Sequence, residues 1–313
     1  MSEGFRSGLP ACPLIILAGP TAVGKTELSL DLAEVLNAEI ISADSRQIYK
    51  ELTIGTAKPS KEELSRIRHH FIDELTLREP YSAGKFQRDA GERSKDILRR
   101  GRQPLVVGGS TLYLRALTHG LAEIPDVPST IRAMVSDRLA HEGPAALYAD
   151  LQRIDPESAG TMDSTKSQRH VRALEVYAAT GIPLSHFHRM QGGTPGGFHL
   201  FVLNRERREL YERIDRRVDQ MLEKGLLQEV AGLLENGHDT SLNPLRTIGY
   251  QEPIAHLRGE ISFDEMTERI KRNSRRYAKR QLTWFRRDET NIWLDAGHSH
   301  EKLIDEIISL ADG

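Results

Sequence analysis

Short apolar runs alternate with longer amphipathic stretches in the first third of the chain. Leu14–Ala18 is a continuous apolar run that stops at Gly19, the pattern of a buried parallel strand. Leu28, Leu32, Val35 and Leu36 then recur at helical spacing within Thr26–Asn37. Glu39–Ala43 predicts a second strand ending at Asp44, His70–Asp73 a short third, and Pro104–Val107 another that ends in Gly108-Gly109. Between them, Gly84–Arg100 has the mixed charge of an exposed amphipathic helix. Ser110 stands where a cap would start a helix running to about His119. This alternation predicts an α/β core built on a parallel sheet flanked by helices.

The texture changes after residue 120. Ile124-Pro125-Asp126-Val127-Pro128 breaks any regular element, and helical patterns without strands follow from about Ser129 to Thr180. Gln191–Gly197 reads as a linker. Strand character returns at His199–Leu203, several helices fill Glu206–Arg287, and Ile292–Leu294 is a candidate last strand. Strands on both sides of a helical segment predict a core from 1–120 and 196–313, interrupted by an all-helical insertion at 121–195.

Composition narrows the classes. Apolar residues make up 38% and charged residues 28% of the 313 positions, ordinary for a globular protein with a real core. The net charge of −2 excludes a globally basic nucleic-acid binder, so any basic surface must come from local clustering. The single cysteine, Cys12, excludes intrachain disulfides and cysteine-based zinc sites. The N-terminus lacks the pattern of a signal peptide, and no apolar run approaches the roughly 20 residues of a membrane span. The expectation is a cytoplasmic protein, and nothing demands more than a monomer.

Gly19-Pro20-Thr21-Ala22-Val23-Gly24-Lys25-Thr26 fits G-x-x-x-x-G-K-[ST] in full, with a strand before it and a helix after. Such a loop turns backbone N–H groups around a phosphate, Lys25 adds a point charge, and the Thr26 hydroxyl can bind Mg²⁺. Nucleotide hydrolases also place an acid at the end of a second buried strand to help hold the metal. Pro104–Val107 instead ends in Gly-Gly-Ser, and Asp73 is a weak substitute. That disfavours a motor or switch ATPase and favours an enzyme gripping a phosphorylated small molecule. Asp44, at the carboxyl edge of the second strand, faces the ligand crevice of such a sheet and can serve as a general base. The other reading makes it a turn-capping residue in Ser-Ala-Asp-Ser. Asp44-Ser45-Arg46-Gln47-Ile48-Tyr49 is dense in hydrogen-bonding groups suited to a polar ligand such as a base. Gly55–Pro59 reads as a surface loop.

Two basic segments stand out. In Arg205–Arg217, Arg213 and Arg217 share a helix face and can clamp a diphosphate. Lys271–Arg287 holds eight Lys or Arg in 17 positions. One stripe carries Arg272, Arg276, Lys279 or Arg280, Thr283 and Arg287; another carries Tyr277, Gln281 and Trp284 and can pack inward. A basic stripe beside aromatics suits a phosphodiester backbone, although Glu265 and Glu268 can also balance a solvated face. In the insertion, Arg169 and Arg172 lie three apart in Gln168-Arg169-His170-Val171-Arg172, and either contact RNA or are simply exposed. The histidines lack metal-ligand spacing. At this point a small-molecule P-loop kinase and a catalytically idle RNA-binding protein both stay open.

Taken in order, these segments resemble the tRNA dimethylallyltransferases, the isopentenyl transferases that prenylate an adenine beside the anticodon. Besides Gly19–Thr26 and Asp44–Tyr49, the matching residues are Ile54–Pro59, Tyr81–Ala83, Val107–Tyr113, Gln168-Arg169 with Arg172–Val176, and Arg213 with Arg217. Arg246–Glu252, Lys279–Gln281 and Thr283-Trp284 complete the set. The resemblance covers nearly the whole chain and implies a core like that of the P-loop NTPases. It implies dimethylallyl diphosphate as donor, N6 of adenine 37 in a tRNA anticodon loop as acceptor, and Mg²⁺ as cofactor. Asp44 would be the base, and Lys25, Arg213, Arg217 and a Thr26-bound Mg²⁺ would hold the leaving diphosphate. The RNA-contacting segments it implies are Asp44-Ser45-Arg46-Gln47, Ser110, Arg132, Gln168–Arg172, Arg246-Thr247-Ile248-Gly249-Tyr250-Gln251, and Arg280-Gln281. The helical insertion would grip the anticodon stem-loop. The chain departs from the family where many relatives have Thr in place of Ser110, which keeps the hydroxyl. It also lacks the cysteines of the C-terminal zinc finger found in some relatives, so the resemblance is to the short bacterial-type form.

Overall fold

A computed structural model describes residues 13–163, 167–190 and 197–311. Cys12 and positions 191–196 of the expected linker lie outside them. The first half of the core runs β1 (Leu14–Ala18), α1 (Lys25–Val35), β2 (Ala38–Ala43), α2 (Lys61–Arg66), β3 (His69–His70), α3 (Ala83–Arg99), β4 (Gln103–Gly108) and α4 (Thr111–His119). A helical segment follows: α5 (Ser129–Ile154), α6 (Pro156–Thr161), α7 (Ser167–Thr180) and α8 (Leu184–Arg189). The core resumes with β5 (Phe198–Asn204), α9 (Arg207–Glu223), α10 (Leu226–Glu235), a 3-10 turn at Asn243–Leu245, α11 (Gln251–Leu257), α12 (Phe263–Phe285), β6 (Ile292–Asp295) and α13 (His300–Ala311).

The six strands form one sheet in the order β3-β2-β4-β1-β5-β6, with every pairing parallel. β1 is therefore central, with Ile16 opposite Val106 on one side and Leu200 on the other. Its apolar run has no alternation because helices cover both faces of a parallel sheet. The architecture is that of a P-loop NTPase-like α/β core. Leu17, Leu28, Leu32, Phe201, Leu210, Ile214, Leu303 and Ile307 belong to one buried cluster. Each such apolar side chain contributes about 1.5–3 kcal/mol on burial.

Contacts divide the chain into two compact units. One holds the sheet and its helices, the described residues up to Thr118 and from Gly197 onward. The other holds the helices between His119 and Thr194 and has its own core around Leu147, Leu151, Ala173, Leu174 and Val176.

Several elements differ from the sequence reading. The expected strand at His70–Asp73 shrinks to His69–His70, because Phe71 and Asp73 adopt positive φ of 63° and 56°. Asp73 forms a salt bridge with Lys58, whose ammonium also donates to the Tyr49 carbonyl (2.8 Å). The carboxylate offered as a substitute metal ligand is thus held in an ion pair. α2 is not among the expected elements, although Ser60 and Glu63 form a capping box at its start. α13 packs Leu303 and Ile307 into the core cluster shared with α1.

β2 and β4 pass so closely that a Cβ at Gly108 would lie 2.3 Å from the Ala43 carbonyl oxygen. Ala43 precedes Asp44, so this contact also fixes where the turn at Asp44 begins. Gly108→Ala is expected to lower stability by about 1–3 kcal/mol, the usual range for overpacking. Chemical denaturation measures it, and an unchanged midpoint would refute the tight register.

Candidate functional site

The carboxyl ends of the parallel strands converge on one side of the sheet, where open α/β sheets bind ligands. The turns after β1, β2 and β4 meet there with the inner faces of α9 and α12 around a cavity of about 1270 Å³, lined by the sheet-bearing unit alone. Thr21–Thr26 line it with Asp44–Gln47, Gly109-Ser110, Arg213, Arg217, Arg246–Gly249, Gln251, Tyr277, Arg280 and Gln281. Segments separated by more than 200 residues thus share one wall.

The loop after β1 is braced from the far half of the chain. Arg213 Nε donates to the Ala22 carbonyl (2.9 Å) and Arg205 Nε to that of Val23 (3.3 Å). Thr21 donates its N–H to Gln281 Oε1 (3.0 Å). That N–H is therefore spent within the protein. Gly24 starts α1 in the left-handed region at φ 114°, where its lack of a Cβ lets the chain turn into the helix. Lys25 Nζ folds back onto the carbonyls of Gly19 (3.1 Å) and Pro20 (2.8 Å).

Burial, and then the positive charge of Arg217, push Lys25 down to about pKa 7, against the pull of Asp44. Burial likewise lowers Arg217, again opposed by Asp44. Two basic groups thus lie close together, half-buried in the cavity wall, beside a carboxylate. Asp44 Oδ1 accepts the N–H groups of Arg46 (2.8 Å) and Gln47 (3.4 Å). Oδ2 takes part in neither bond. The turn-capping reading of Asp44 is realised: one oxygen caps its own turn, which orients a side chain that lines the cavity. Burial, followed by the Asp44 charge, raises Tyr277 to about 12, so its phenol stays neutral.

The turn after Asp44 is tied to its surroundings. Ser45 donates its N–H to the Ser110 hydroxyl (3.0 Å), and Gln47 Nε2 reaches the carbonyls of Thr56 and Ala57 (both 3.3 Å). The loop read as a surface feature is consequently a cavity wall, with Ile54–Pro59 lining it. Glu229 on α10 holds it by accepting N–H groups from Thr53 (3.2 Å), Ile54 (2.8 Å) and Gly55 (3.2 Å), plus the Tyr250 hydroxyl (2.7 Å).

Some residues expected at an RNA surface point elsewhere. Tyr250 is fully buried, and its ring fills the space left by the absent side chain of Gly55. His170 is also fully buried, its ring tilted against Tyr148 and bonded to the Asp163 carbonyl (3.1 Å), while Val171 packs on the core of the helical unit. Gln281 is 2% exposed, with its amide committed to two backbone groups. These four side chains support the architecture instead of presenting themselves to solvent. In the helical unit, Arg132, Gln168 and Arg169 are exposed, and Arg172 pairs with Glu175 (3.4 Å).

On α12 the inner basic residues are neutralised: Lys271 by Asp219 (2.7 Å) and Arg275 by Asp215 (2.5 Å). Arg272, Arg276, Lys279 and Arg280 are exposed and take no carboxylate among the described residues. Arg280 lies over the Tyr277 ring at 5.7 Å. Glu265 balances Arg269 and leaves this stripe uncompensated.

Arg205 and Glu229 were missed in the sequence. Arg205 carried a signal, since it follows β5 directly and so stands at the edge where ligands bind. Glu229 is one acid on an amphipathic helix and carried none.

The displaced titration of Lys25 has a measurable sign. Between pH 7 and 10.5 the unfolded chain binds a proton that the folded chain has released, so this group's penalty is largest below pH 7 and fades as pH rises. Lys25→Met is expected to be more stable than the parent at pH 7, with a flatter rise in stability toward pH 10. Binding of inorganic diphosphate near pH 8 should draw in a proton in the parent, because an anion beside Lys25 raises it again. Calorimetry in buffers of different ionisation enthalpy reads that uptake, and its persistence in Lys25→Met would refute the assignment.

Comparison with known proteins agrees with this geometry. Residues 47–288 match the model of the IPP transferase family. A tRNA dimethylallyltransferase of Salinibacter ruber is 53% identical over 300 residues, covering 96% of this chain and 93% of its own. One from Thermotoga maritima is 43% identical over 295 residues, covering 93% and 96%. The crystal structure of the tRNA isopentenylpyrophosphate transferase of Bacillus halodurans is similar with a TM-score of 0.72 and 38% identity, over 96% of both chains. A eukaryotic dimethylallyltransferase caught acting on tRNA gives 0.81 at 30% identity, over 96% of this chain and 80% of its own. A family match across most of the core, and relatives this similar over nearly the full length, mean that the chain belongs to the IPP transferase family.

Proposed function

We propose that this chain is a tRNA dimethylallyltransferase, which moves the dimethylallyl group of dimethylallyl diphosphate onto N6 of adenine 37 in tRNAs. The products are N6-dimethylallyladenosine and diphosphate. The observation that carries this reading is the convergence of Asp44 with Lys25 and Arg217 on one cavity. The loop then grips a leaving group and not a phosphoryl group in transfer. As the C1–O bond breaks, its electron pair goes to the diphosphate oxygen, and Lys25, Arg213 and Arg217 stabilise that charge. The N6–C1 bond forms as the Asp44 carboxylate takes the N6 proton, making a weak amine a better nucleophile. A kinase reading fares worse, because β4 ends in Gly108-Gly109-Ser110 with no acid, and Asp73 is paired with Lys58.

Magnesium suits this donor set. The ion prefers one or two protein oxygens together with substrate phosphates and water. The Thr26 hydroxyl and the Asp44 carboxylate both line the cavity, and no cluster of three or more metal-ligating side chains occurs among the described residues. Thr26 would hold an ion that arrives with the diphosphate. When bound, the ion would neutralise part of the diphosphate charge.

The RNA reading rests on position. Ser45, Arg46, Gln47, Ser110, Arg246, Thr247, Ile248, Gly249 and Gln251 surround the cavity and meet the base and its neighbours. The exposed stripe of α12 takes the phosphodiester backbone, and Arg132, Gln168, Arg169 and Arg172 hold the anticodon stem-loop. Extruding the adenine costs a few kcal/mol, less in an unpaired loop. Among the described residues no helix is long and apolar enough to cross a membrane.

Incubation with labelled dimethylallyl diphosphate, or with γ-labelled ATP, and an unmodified tRNA carrying adenines after its anticodon decides the matter. Label is expected to pass from the isoprenoid to RNA. Phosphate moved from ATP, or no transfer, would overturn the proposal. Asp44→Asn should reduce turnover by about 10²–10⁴-fold with tRNA still bound, and near-normal turnover would remove Asp44 as the base. Arg276→Gln with Arg280→Gln should weaken tRNA binding and lessen its logarithmic salt slope by about 0.7–0.9 per lost phosphate contact. An unchanged slope would rule out α12 as the RNA face.

A further inference from the structure

Gln281 points away from the RNA side of its own helix. It is 2% exposed, and both ends of its amide are used. Oε1 accepts the Thr21 N–H (3.0 Å), and Nε2 donates to the Gly109 carbonyl (2.7 Å). One side chain from α12 therefore spans two turns that belong to different strands. The fit leaves no slack: a Cβ at Gly109 would lie 2.6 Å from Nε2 and 3.0 Å from the Gly19 carbonyl oxygen. The bonds continue beyond Gly109. The next residue, Ser110, accepts the Ser45 N–H (3.0 Å), and Asp44 Oδ1 accepts the Arg46 N–H (2.8 Å). A short chain of contacts thus runs from the loop that faces the diphosphate to the turn that carries Asp44, with Gln281 at its centre. A buried amide left without partners would be costly, which fixes the geometry on both sides.

We propose that Gln281 is a positioning residue that sets the separation between the diphosphate-holding loop and the Asp44 turn. This rests on the functional reading given above. The same helix presents Arg276, Lys279 and Arg280 outward. Gln281 therefore anchors the RNA-facing helix to the reacting centre while taking no part in RNA contact. A displacement of about 1 Å between reacting groups can cost 10²-fold in rate. The loss belongs in kcat, because the nucleophile's base and the leaving group's holder go out of register after both substrates bind.

Three variants test this. Gln281→Met keeps length and removes both bonds, Gln281→Glu keeps the acceptor and removes the donor, and Gly109→Ala displaces the amide from the opposite side. Each is assayed for kcat at saturating substrates, for tRNA Kd at two salt concentrations, for inhibition by inorganic diphosphate, and for Tm. Gln281→Met and Gly109→Ala should each lower kcat about 100-fold and weaken diphosphate inhibition, with tRNA affinity and its salt slope as in the parent. Because both break one brace, the double variant should be no slower than the worse single one. A weakened tRNA Kd with unchanged kcat would make Gln281 an RNA contact and overturn the proposal. Parental kcat in a folded variant, or additive losses in the double variant, would overturn it equally. If Gln281→Met does not fold, Gln281→Glu and Gly109→Ala decide by the same readings. If the parent moves no dimethylallyl group, the functional reading falls; weakened binding of inorganic diphosphate by the variants still tests the brace.

Discussion

Two basic groups held side by side in a half-buried cavity wall repel each other unless an anion joins them, and the site is built around that cost. Lys25 is driven toward pKa 7 by burial and by Arg217, and Arg217 is itself lowered by burial. Asp44 offsets part of the repulsion from across the cavity. Under the proposed function a diphosphate would remove the rest, and the charges are held in an arrangement that such a ligand would complete. The stability of the free chain is the natural place for the cost to appear, as it does at many strained functional sites.

Holding that arrangement takes more than the loop itself. The loop after β1 is short, and its own hydrogen bonds do not fix it to the rest of the site. Arg213, Arg205 and Gln281 reach it from α9, from the end of β5 and from α12, and each binds a different residue of the loop. Glu229 does the same for the wall at Thr53–Gly55 by gathering three backbone N–H groups and the Tyr250 hydroxyl. The second half of the chain therefore acts as the frame of a site whose chemistry resides mostly in the first. The parallel sheet makes this possible, because β1, β2, β4 and β5 all end at the same edge.

The strands were legible because a buried parallel strand is an uninterrupted apolar run between breakers, and β1 begins and ends where that run does. The loop at Gly19–Thr26 was legible because its chemistry needs fixed residue types at fixed spacing. β3 was overestimated because apolar content at Phe71 and Ile72 says nothing about the positive φ that ends the strand. α13 was legible too, since Leu303, Ile304 and Ile307 recur at helical spacing, but it was not among the expected elements. The basic helix was found, and its helical stripe already set Arg276, which is exposed, apart from Arg275; that Arg275 pairs with Asp215 on α9 was not legible.

By itself the sequence determined the order of elements, the phosphate loop, the acid at the end of β2 and the family to which the chain belongs. Each of these is local, or is a pattern of residue types carried along the chain. Only the tertiary structure decided which polar side chains face the ligand and which face the protein. Tyr250 and His170 occur in segments rich in RNA-suited residues, yet both turn inward, because a helix or turn has two faces and only packing chooses between them; for Gln281 the stripe shared with Tyr277 and Trp284 already pointed inward, and the structure added its two partners. The pKa of Lys25 was decided there too, since it depends on Arg217, which lies 192 positions away in sequence and is brought close only by the fold.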